Sequence, residues 1–521
     1  MSEFLNRRLQ ALIDANAAPT LRDIRRGIEK ESLRVTPQGA LAKTPHPQAL
    51  GSALTHPHIT TDYSEALLEF ITPATTGVST PLEFLDRVHR YSYSQLGDEL
   101  LWVNSMPCRV EHDDDVPVAY YGTSNIGRMK HIYRLGLGHR YGRRMQTIAG
   151  IHYNFSWPKS FWEIHQQAEG NQQPLQDYIS SRYFDLLRNF HRYSWLLVYL
   201  FGASPAVCAS FLKGRDHQLL KRFDNSLFRP GATSLRMSDL GYQNNAQSSL
   251  HISYNDIDSY VRTLNHAIHT PEPSYEEIGV CVDGEYRQLN ANILQIENEY
   301  YSSIRPKRTI LKGERPTQAL QRAGVEYIEV RVLDLDPFEP VGINEDTMRF
   351  IDLFASFCLL ERSPLVEACD QIAAKQNLRQ AVYNGRDTSV QLCRAGRQTS
   401  LRQWSEELLD NLEGLAELYD QAEGSTRYRD SLALQRCKIR DPAQTTSAKV
   451  LAIMAQEKLG FFDFALRQAE RHREQFLQRP LEPAGQKLFA DMAGKSLAEQ
   501  AAREAESQQP FAAFLADYFR D

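Results

Sequence analysis

The chain has 521 residues, 42% of them hydrophobic and 24% charged, with a formal net charge of -6, which is ordinary for a globular protein large enough to bury an extensive core. That balance provides no global basic field of the kind that draws a protein onto nucleic acid. Seven cysteines lie scattered without CxxC or zinc-type spacing. Their odd number fits reduced thiols in a cytoplasmic protein better than a secreted disulfide framework, although Cys369 and Cys393 could pair.

In chain order, MSEFLNRRLQALIDAN is amphipathic and lacks the apolar core of a secretory signal. The first strand expected is IEKESLRV. Side chains alternate across a strand, so Glu29 and Glu31 share a face with Leu33 and Val35 and are expected to point toward the interior. ALLEFITP follows as a strand, with Glu69 on the face of Leu67 and Ile71, and Asp62 and Glu65 just before it. PLEFLDRVHRYSYSQLGDELL reads as a helix, and RMKHIYRLGLGHRYGRRMQ (128–146) as a locally basic stretch. In TIAGIHYNFSW, Ile151, Tyr153, Phe155 and Trp157 form an apolar face, leaving His152 and Asn154 on the other.

DYISSRYFDLLRNFHRYSWLLVYL is a helical pattern whose end enters an uncharged run, 193–212. Gly-Ala-Ser-Pro at the centre of that run would break a spanning helix, so a buried helix leading into a turn is expected and a membrane segment is not. NILQIENEYY reads as a strand, IRPKRTILKGERP (304–316) as a second basic stretch, and GVEYIEVRVLDLDP as a central strand interrupted by Glu329 and Arg331. Beyond residue 340 the texture turns helical, as in DTMRFIDLFASFCLLE, where Met348, Ile351, Phe354, Ala355 and Cys358 recur at helical spacing. The expected organisation is therefore an α+β part over 1–340 and a mainly helical part over 341–521 packed on it.

Several strands each aim a carboxylate inward, and buried carboxylates are costly unless paired or bound to metal. Oxygen ligands with few sulfurs favour Mg²⁺ or Mn²⁺ over zinc, and Mg²⁺ commonly accompanies substrate phosphates. The two basic stretches supply phosphate donors, or a solvated basic face. Gly136, Gly138 and Gly142 read GxGxxxG, one residue too long for a dinucleotide loop, and Gly494-Lys495-Ser496 lacks the earlier glycine of a P-loop. The residues point to an enzyme using ATP and Mg²⁺ at an acidic cavity built on a sheet.

GIEKESLRV, GSALTHPHITTDYSEALLEFITP, YGTSNIGRMKHIYR, YGRRMQTIAGIHYNFS, YLFGASPAVCASFL, SLRMSDLGY, LQIENEYYSSIRPKR and GVEYIEVRVLDLDPF, running in order from about residue 22 to about residue 360, closely resemble the bacterial glutamate–cysteine ligase family. The resemblance implies a glutamine synthetase-like fold, with a curved, mostly antiparallel sheet forming a funnel-shaped active site. It implies ATP-dependent joining of the γ-carboxylate of L-glutamate to the amine of L-cysteine through a γ-glutamyl phosphate, the first step of glutathione synthesis. Carried over by position, Glu29, Glu31, Asp62, Glu69, His152 and Glu329 would hold magnesium. Arg331 would meet a phosphate, and Arg134 and Arg236 the glutamate carboxylates or the acyl phosphate. Tyr133, Tyr242 and Tyr301 would line the cysteine pocket with Gln146, while Cys208 would be buried structure. These partners are all small molecules, with neither nucleic acid nor membrane among them, and a monomer suffices. The alternatives are a related carboxylate–amine ligase with another amine acceptor, a guanidino-phosphotransferase, or an RNA-binding protein.

Overall fold

The computed structural model describes residues 2–107, 109–214, 217, 221–240, 250–506 and 508–520. At its centre is an eight-stranded sheet. Its strands are β1 (Arg25–Val35), β2 (Ile59–Thr61), β3 (Leu67–Ile71), β4 (Thr75–Thr76), β5 (Leu100–Leu101), β6 (Ile151–Ser156), β7 (Ile304–Lys307) and β8 (Tyr327–Leu333). The main path runs β7-β8-β6-β1-β3-β2, with β4 and β5 also pairing with β1, and every pairing is antiparallel. The register sets Glu31 opposite Glu69, Glu29 opposite His152, and Glu329 opposite Asn154. One face of the sheet thus carries a row of acids and a histidine.

The other face is covered by helices. Helix α1 (Ser79–Gln95) follows β4 there, whereas α2 (Asn125–Tyr141), which leads toward β6, lies on the acid-bearing side. Ser124 caps α2 by accepting from the Gly127 amide, and Gly142 ends it with φ +84°, a backbone state that glycine adopts without steric cost. Helices α3 (Leu175–Tyr193) and α4 (Trp195–Phe201) are separated at Ser194. The uncharged run of 193–212 is buried within the fold, and no helix among the described residues is long and apolar enough to cross a membrane.

Helix α5 (Glu345–Leu360), capped by Asn344, lies behind the sheet and is buried from Met348 to Leu360. Each of its fully buried Ile, Leu and Phe side chains contributes about 1.5–3 kcal/mol of hydrophobic stabilisation. In the middle of this apolar helix sits Asp352. Its carboxylate accepts from Arg26 Nε and Nη2 at 2.9 and 2.7 Å, from Tyr153 Oη at 2.8 Å and from Tyr428 Oη at 3.0 Å. The helical texture beyond residue 340 continues through α6 (Leu401–Glu423), α7 (Arg427–Arg440), α8 (Phe461–Leu477), α9 (Pro483–Ala505) and α10 (Phe511–Tyr518), interrupted by a hairpin of Gln391–Arg394 with Arg397–Ser400.

Three expectations need correction. NILQIENEYY is not a strand: it folds into a short 3₁₀ turn, Glu297–Glu299, because side chains satisfy the backbone locally. Glu299 accepts from the Gln295 amide at 2.6 Å, and Asn290 Nδ2 donates to the Gln295 carbonyl at 2.9 Å. Part of the second basic stretch is instead a strand, β7. Cys369 and Cys393 do not pair and are free thiols, as are Cys281, Cys358 and Cys437, whereas Cys208, buried as expected, is disulfide-bonded.

Candidate active site

The acid-bearing face opens into a cavity of about 1010 Å³, lined by Glu29, Asp62, Glu69, His152, Glu329 and Arg331, among others. Two groups bring three ligand atoms within 4.8 Å of one another, Glu29–His152–Glu329 and Glu31–Glu69–His152, so His152 belongs to both. His152 Nδ1 stands 3.1 Å from Glu29 Oε2, and Nε2 stands 3.7 Å from Glu31 Oε1. Asn154 Nδ2 donates to Glu29 Oε1 at 3.0 Å, and the Gly150 amide donates to Glu31 Oε2 at 2.7 Å. A Cβ at Gly150 would lie 2.2 Å from Nη2 of the buried Arg236, so any larger residue there would displace that guanidinium.

The electrostatics divide the acids into two kinds. Burial pushes Glu69 well above the ordinary carboxylate range, reinforced by Glu29, Asp62 and Glu31. Burial also raises Glu31. For Glu329, the cations Lys307, Arg331 and Arg305 outweigh the effect of burial and hold the carboxyl well below its usual value. Burial opposes ionisation of Glu29 too, but the His152 hydrogen bond leaves it below the ordinary value. Glu329 Oε2 is buried without a hydrogen-bond partner among the described residues, although Arg331 Nη1 lies 3.3 Å away. An orphaned carboxylate oxygen, and two acids facing each other across β1 and β3, match the donor set of a hard divalent cation.

The cations flank this row. Arg331 Nη1 lies 3.4 Å from His152 Nδ1, and Lys307 Nζ lies 3.4 Å from Glu329 Oε1. Arg236 Nη2 donates to the Arg331 carbonyl at 3.0 Å, which sets its guanidinium beside the strand that carries Glu329. Arg134 lines the cavity, donates Nε to the Asp62 carbonyl and lies over the Tyr121 ring at 4.6 Å.

Residues 9–381 match the family model described as glutamate-cysteine ligase. The chain belongs to the glutamate–cysteine ligase family. Among relatives in this family, the glutamate–cysteine ligase of Alcanivorax borkumensis is 64% identical over 522 residues, covering 99% of each chain. That of Pseudomonas paraeruginosa is 52% identical, over 99% of this chain and 98% of the relative. Among solved structures, the Francisella tularensis glutamate–cysteine ligase in complex with AMP superposes with a TM-score of 0.90 at 38% identity, covering 95% of this chain and 97% of that one. A bifunctional glutathione synthetase from Pasteurella multocida shares the fold, with a TM-score of 0.75 over 93% of this chain and 58% of that one, at 24% identity.

The residues marked out by the family resemblance fall into three places. Glu29, Glu69, His152, Glu329, Arg331, Arg134, Asp62 and Tyr133 line the cavity, although Asp62 is in neither three-ligand group. Glu31, Arg236 and Tyr301 lie outside that lining but near one another: Tyr301 Oη donates to Met237 Sδ at 3.1 Å, and Arg236, Arg331 and Glu31 are close enough to act on its acidity. Gln146 sits in the 3₁₀ turn Arg144–Thr147, outside the lining of the cavity, and Tyr242 lies outside the described residues.

The basic stretch of 128–146 also divides. Arg140 is a fully buried structural cation, 2.9 Å from Glu299. Lys130, singled out by no motif, lines the cavity, with burial and the Arg134 charge pushing its ammonium down to about 8. Its signal is the helical spacing of 126, 129, 130, 133 and 134, all of which line the cavity. Gly136 and Gly138 lie within α2, and Gly494-Lys495-Ser496 within α9, so neither glycine motif forms a phosphate loop.

Proposed function

We propose that this chain joins the γ-carboxylate of L-glutamate to the amine of L-cysteine at the expense of ATP. The observation that carries the reading is the row of inward carboxylates and His152 facing one cavity, with Arg331, Arg305 and Lys307 at its side. Ligation through an acyl phosphate requires a terminal phosphate and a carboxylate, both anionic, to approach in line. Glu29, Glu31, Asp62, Glu69, His152 and Glu329 would hold Mg²⁺, or Mn²⁺, which supplies charge neutralisation to the transferring phosphoryl group when bound.

The chain's own cations do the rest. Arg331, charge-paired with Glu329, offers a planar donor fork to a phosphate oxygen and to the carbonyl oxygen that becomes negative when the amine attacks. Arg236 and Arg134 would orient the glutamate carboxylates. Tyr301 and Tyr133, whose phenols burial keeps protonated, would donate hydrogen bonds and pack against the thiol of the acceptor. The attacking amine loses a proton to solvent or to phosphate oxygen, so no protein nucleophile is required. Residues 1–340 carry these groups and 341–521 brace them. The free thiols of five described cysteines suit a reducing cytoplasm, the bonded Cys208 being the exception.

The test is product formation from ATP, Mg²⁺ and glutamate with cysteine, 2-aminobutyrate, glycine or no amine. Phosphate release requiring both glutamate and a cysteine-sized amine is expected. Equal turnover with glycine would transfer the reading to another amine, and phosphate transfer without amide product would replace it with a kinase.

A further inference from the structure

A second cavity, of about 290 Å³, lies where the chain leaving β8 enters α5 and meets α7. It shares no lining residue with the acidic cavity of the active site. Phe201, Phe338 and Leu434 give it apolar walls, and Leu434, 48% exposed, stands where the cavity meets solvent.

Three polar groups in this lining have bonding capacity to spare. Gln435 of α7 is 2% exposed, and its Oε1 has no hydrogen-bond partner among the described residues. A buried carbonyl oxygen without a donor is costly unless a ligand supplies one. Lys438, one turn further along α7, donates Nζ to the Leu200 carbonyl at 3.2 Å and lies over the Phe201 ring at 4.9 Å. An ammonium has three protons to donate, so donors remain. Asp336 accepts from the Phe338 amide at 3.0 Å and from Thr446 Oγ1 at 3.1 Å, which leaves each of its oxygens a free lone pair. Asp336 and Lys438 thus face one cavity without an ion pair between them among the described residues. Burial opposes both charges, raising the Asp336 carboxyl and lowering the Lys438 ammonium to about 8.

The remaining charges narrow the class of ligand. Asp334 also lines the cavity, but its carboxylate is occupied by the Ala203 amide and the Ser204 and Ser234 hydroxyls. Glu339 and Asp346 add negative charge against Lys449, which turns away phosphate and other simple anions. The acids do not gather around a metal ion, since both groups of three converging ligand atoms among the described residues are in the active site. A bare amine would leave the Lys438 ammonium unanswered. We propose that this cavity binds a small amino acid with an uncharged, apolar side chain, at a site separate from the one where the substrates react. Its ammonium donates to Gln435 Oε1 and Asp336, its carboxylate accepts from Lys438, and its side chain packs on Phe201, Phe338 and Leu434.

Ligand-observed NMR titrations of the full chain with L-valine and L-leucine test the assignment. Each is set beside the amine and the acid that share its side chain: isobutylamine and isovalerate for valine, isoamylamine and isocaproate for leucine. At least one amino acid should bind, and its two single-charge analogues should bind about tenfold more weakly or less. Lys438→Met and Gln435→Leu should each weaken that binding about tenfold, with thermal unfolding midpoints within a few degrees of the wild type. Should Gln435→Leu not fold, Lys438→Met decides, because it exchanges the ammonium for an apolar chain of similar length. Binding of neither amino acid overturns the assignment. Equal binding of the amine or of the acid also overturns it, leaving a site for a plain cation or anion. Amino acid binding that is unmoved in the variants overturns it as well and places the ligand in the active site.

Discussion

The two faces of β1 are both buried and both charged, yet they solve the cost of burial in opposite ways. On the back, Arg26 meets Asp352 and Tyr428, Arg34 meets Glu99 and the carbonyls of Thr44 and Glu65, and Lys30 meets Ser32 and His89. Each of these cations is hydrogen-bonded within the protein, and Arg26 and Arg34 each meet a carboxylate. On the front, Glu29 and Glu31 face Glu69 and Glu329, which are also acids, with a single histidine between the two groups. The back-face cations thus sit among partners of the protein itself, whereas the front-face anions are crowded together, an arrangement that a bound cation relieves. The back face is structure. The front face is a site.

The contrast breaks most sharply if the front is neutralised. Glu29→Gln or Glu329→Gln should lower turnover by more than about a thousandfold, with a thermal unfolding midpoint within a few degrees of the wild type. Retention of near-normal rate by either variant would remove it from the metal set. On the back, Asp352→Ala strands the buried Arg26 and should cost about 3–5 kcal/mol in urea unfolding, since an uncompensated buried charge remains. An effect of that size on kcat without loss of stability would assign Asp352 to the reaction instead.

Binding of the cation should be visible without turnover. At a hundred times its dissociation constant, Mg²⁺ should stabilise the protein by about 2.7 kcal/mol, and Glu69→Gln should abolish most of that shift in a thermal melt. An equal shift in the variant would place the cation elsewhere.

A pH-dependent effect concerns Lys30, whose ammonium burial pushes down to about 7. With its folded value below its unfolded one, the unfolded chain binds more protons between pH 7 and about 10.5, so stability rises with pH through that window. Below pH 7 the lysine is charged in both states and the full burial penalty is present. Against Lys30→Met, the wild type should gain up to about 1.4 kcal/mol per pH unit over the window, measured by urea unfolding at pH 7, 8.5 and 10. A difference independent of pH would mean that Lys30 does not titrate there.

Legibility followed the regularity of each element. Period-two alternation in β1, β6 and β8 already separated Glu29, Glu31, His152 and Glu329 from the residues beside them, because a strand leaves no freedom over which side chains share a face. Strand β7 escaped the same reading. It is short, holds Pro306, and sits at the sheet edge, the place where a strand tolerates proline. Arg305 and Lys307 consequently registered as general basic character rather than as the neighbours of Glu329. NILQIENEYY failed in the other direction, since its alternation was overruled by local hydrogen bonds to Glu299 and Asn290. The glutamate and cysteine specificity came only from family likeness, because a row of carboxylates records that anions meet there and not which ones.

By itself, the amino-acid order determined which side chains point together along each strand and helix, and hence the acidic row, the helical texture after residue 340 and the buried run around residue 200. Tertiary structure decided what those faces meet. It set Glu31 across from Glu69, put Asp352 behind Arg26, left Gln146 outside the cavity lining and brought the last helix to the cavity wall. Periodicity is a local property of backbone geometry. Contacts between residues hundreds of positions apart depend on how whole elements bury their apolar faces, which is decided only when the core closes.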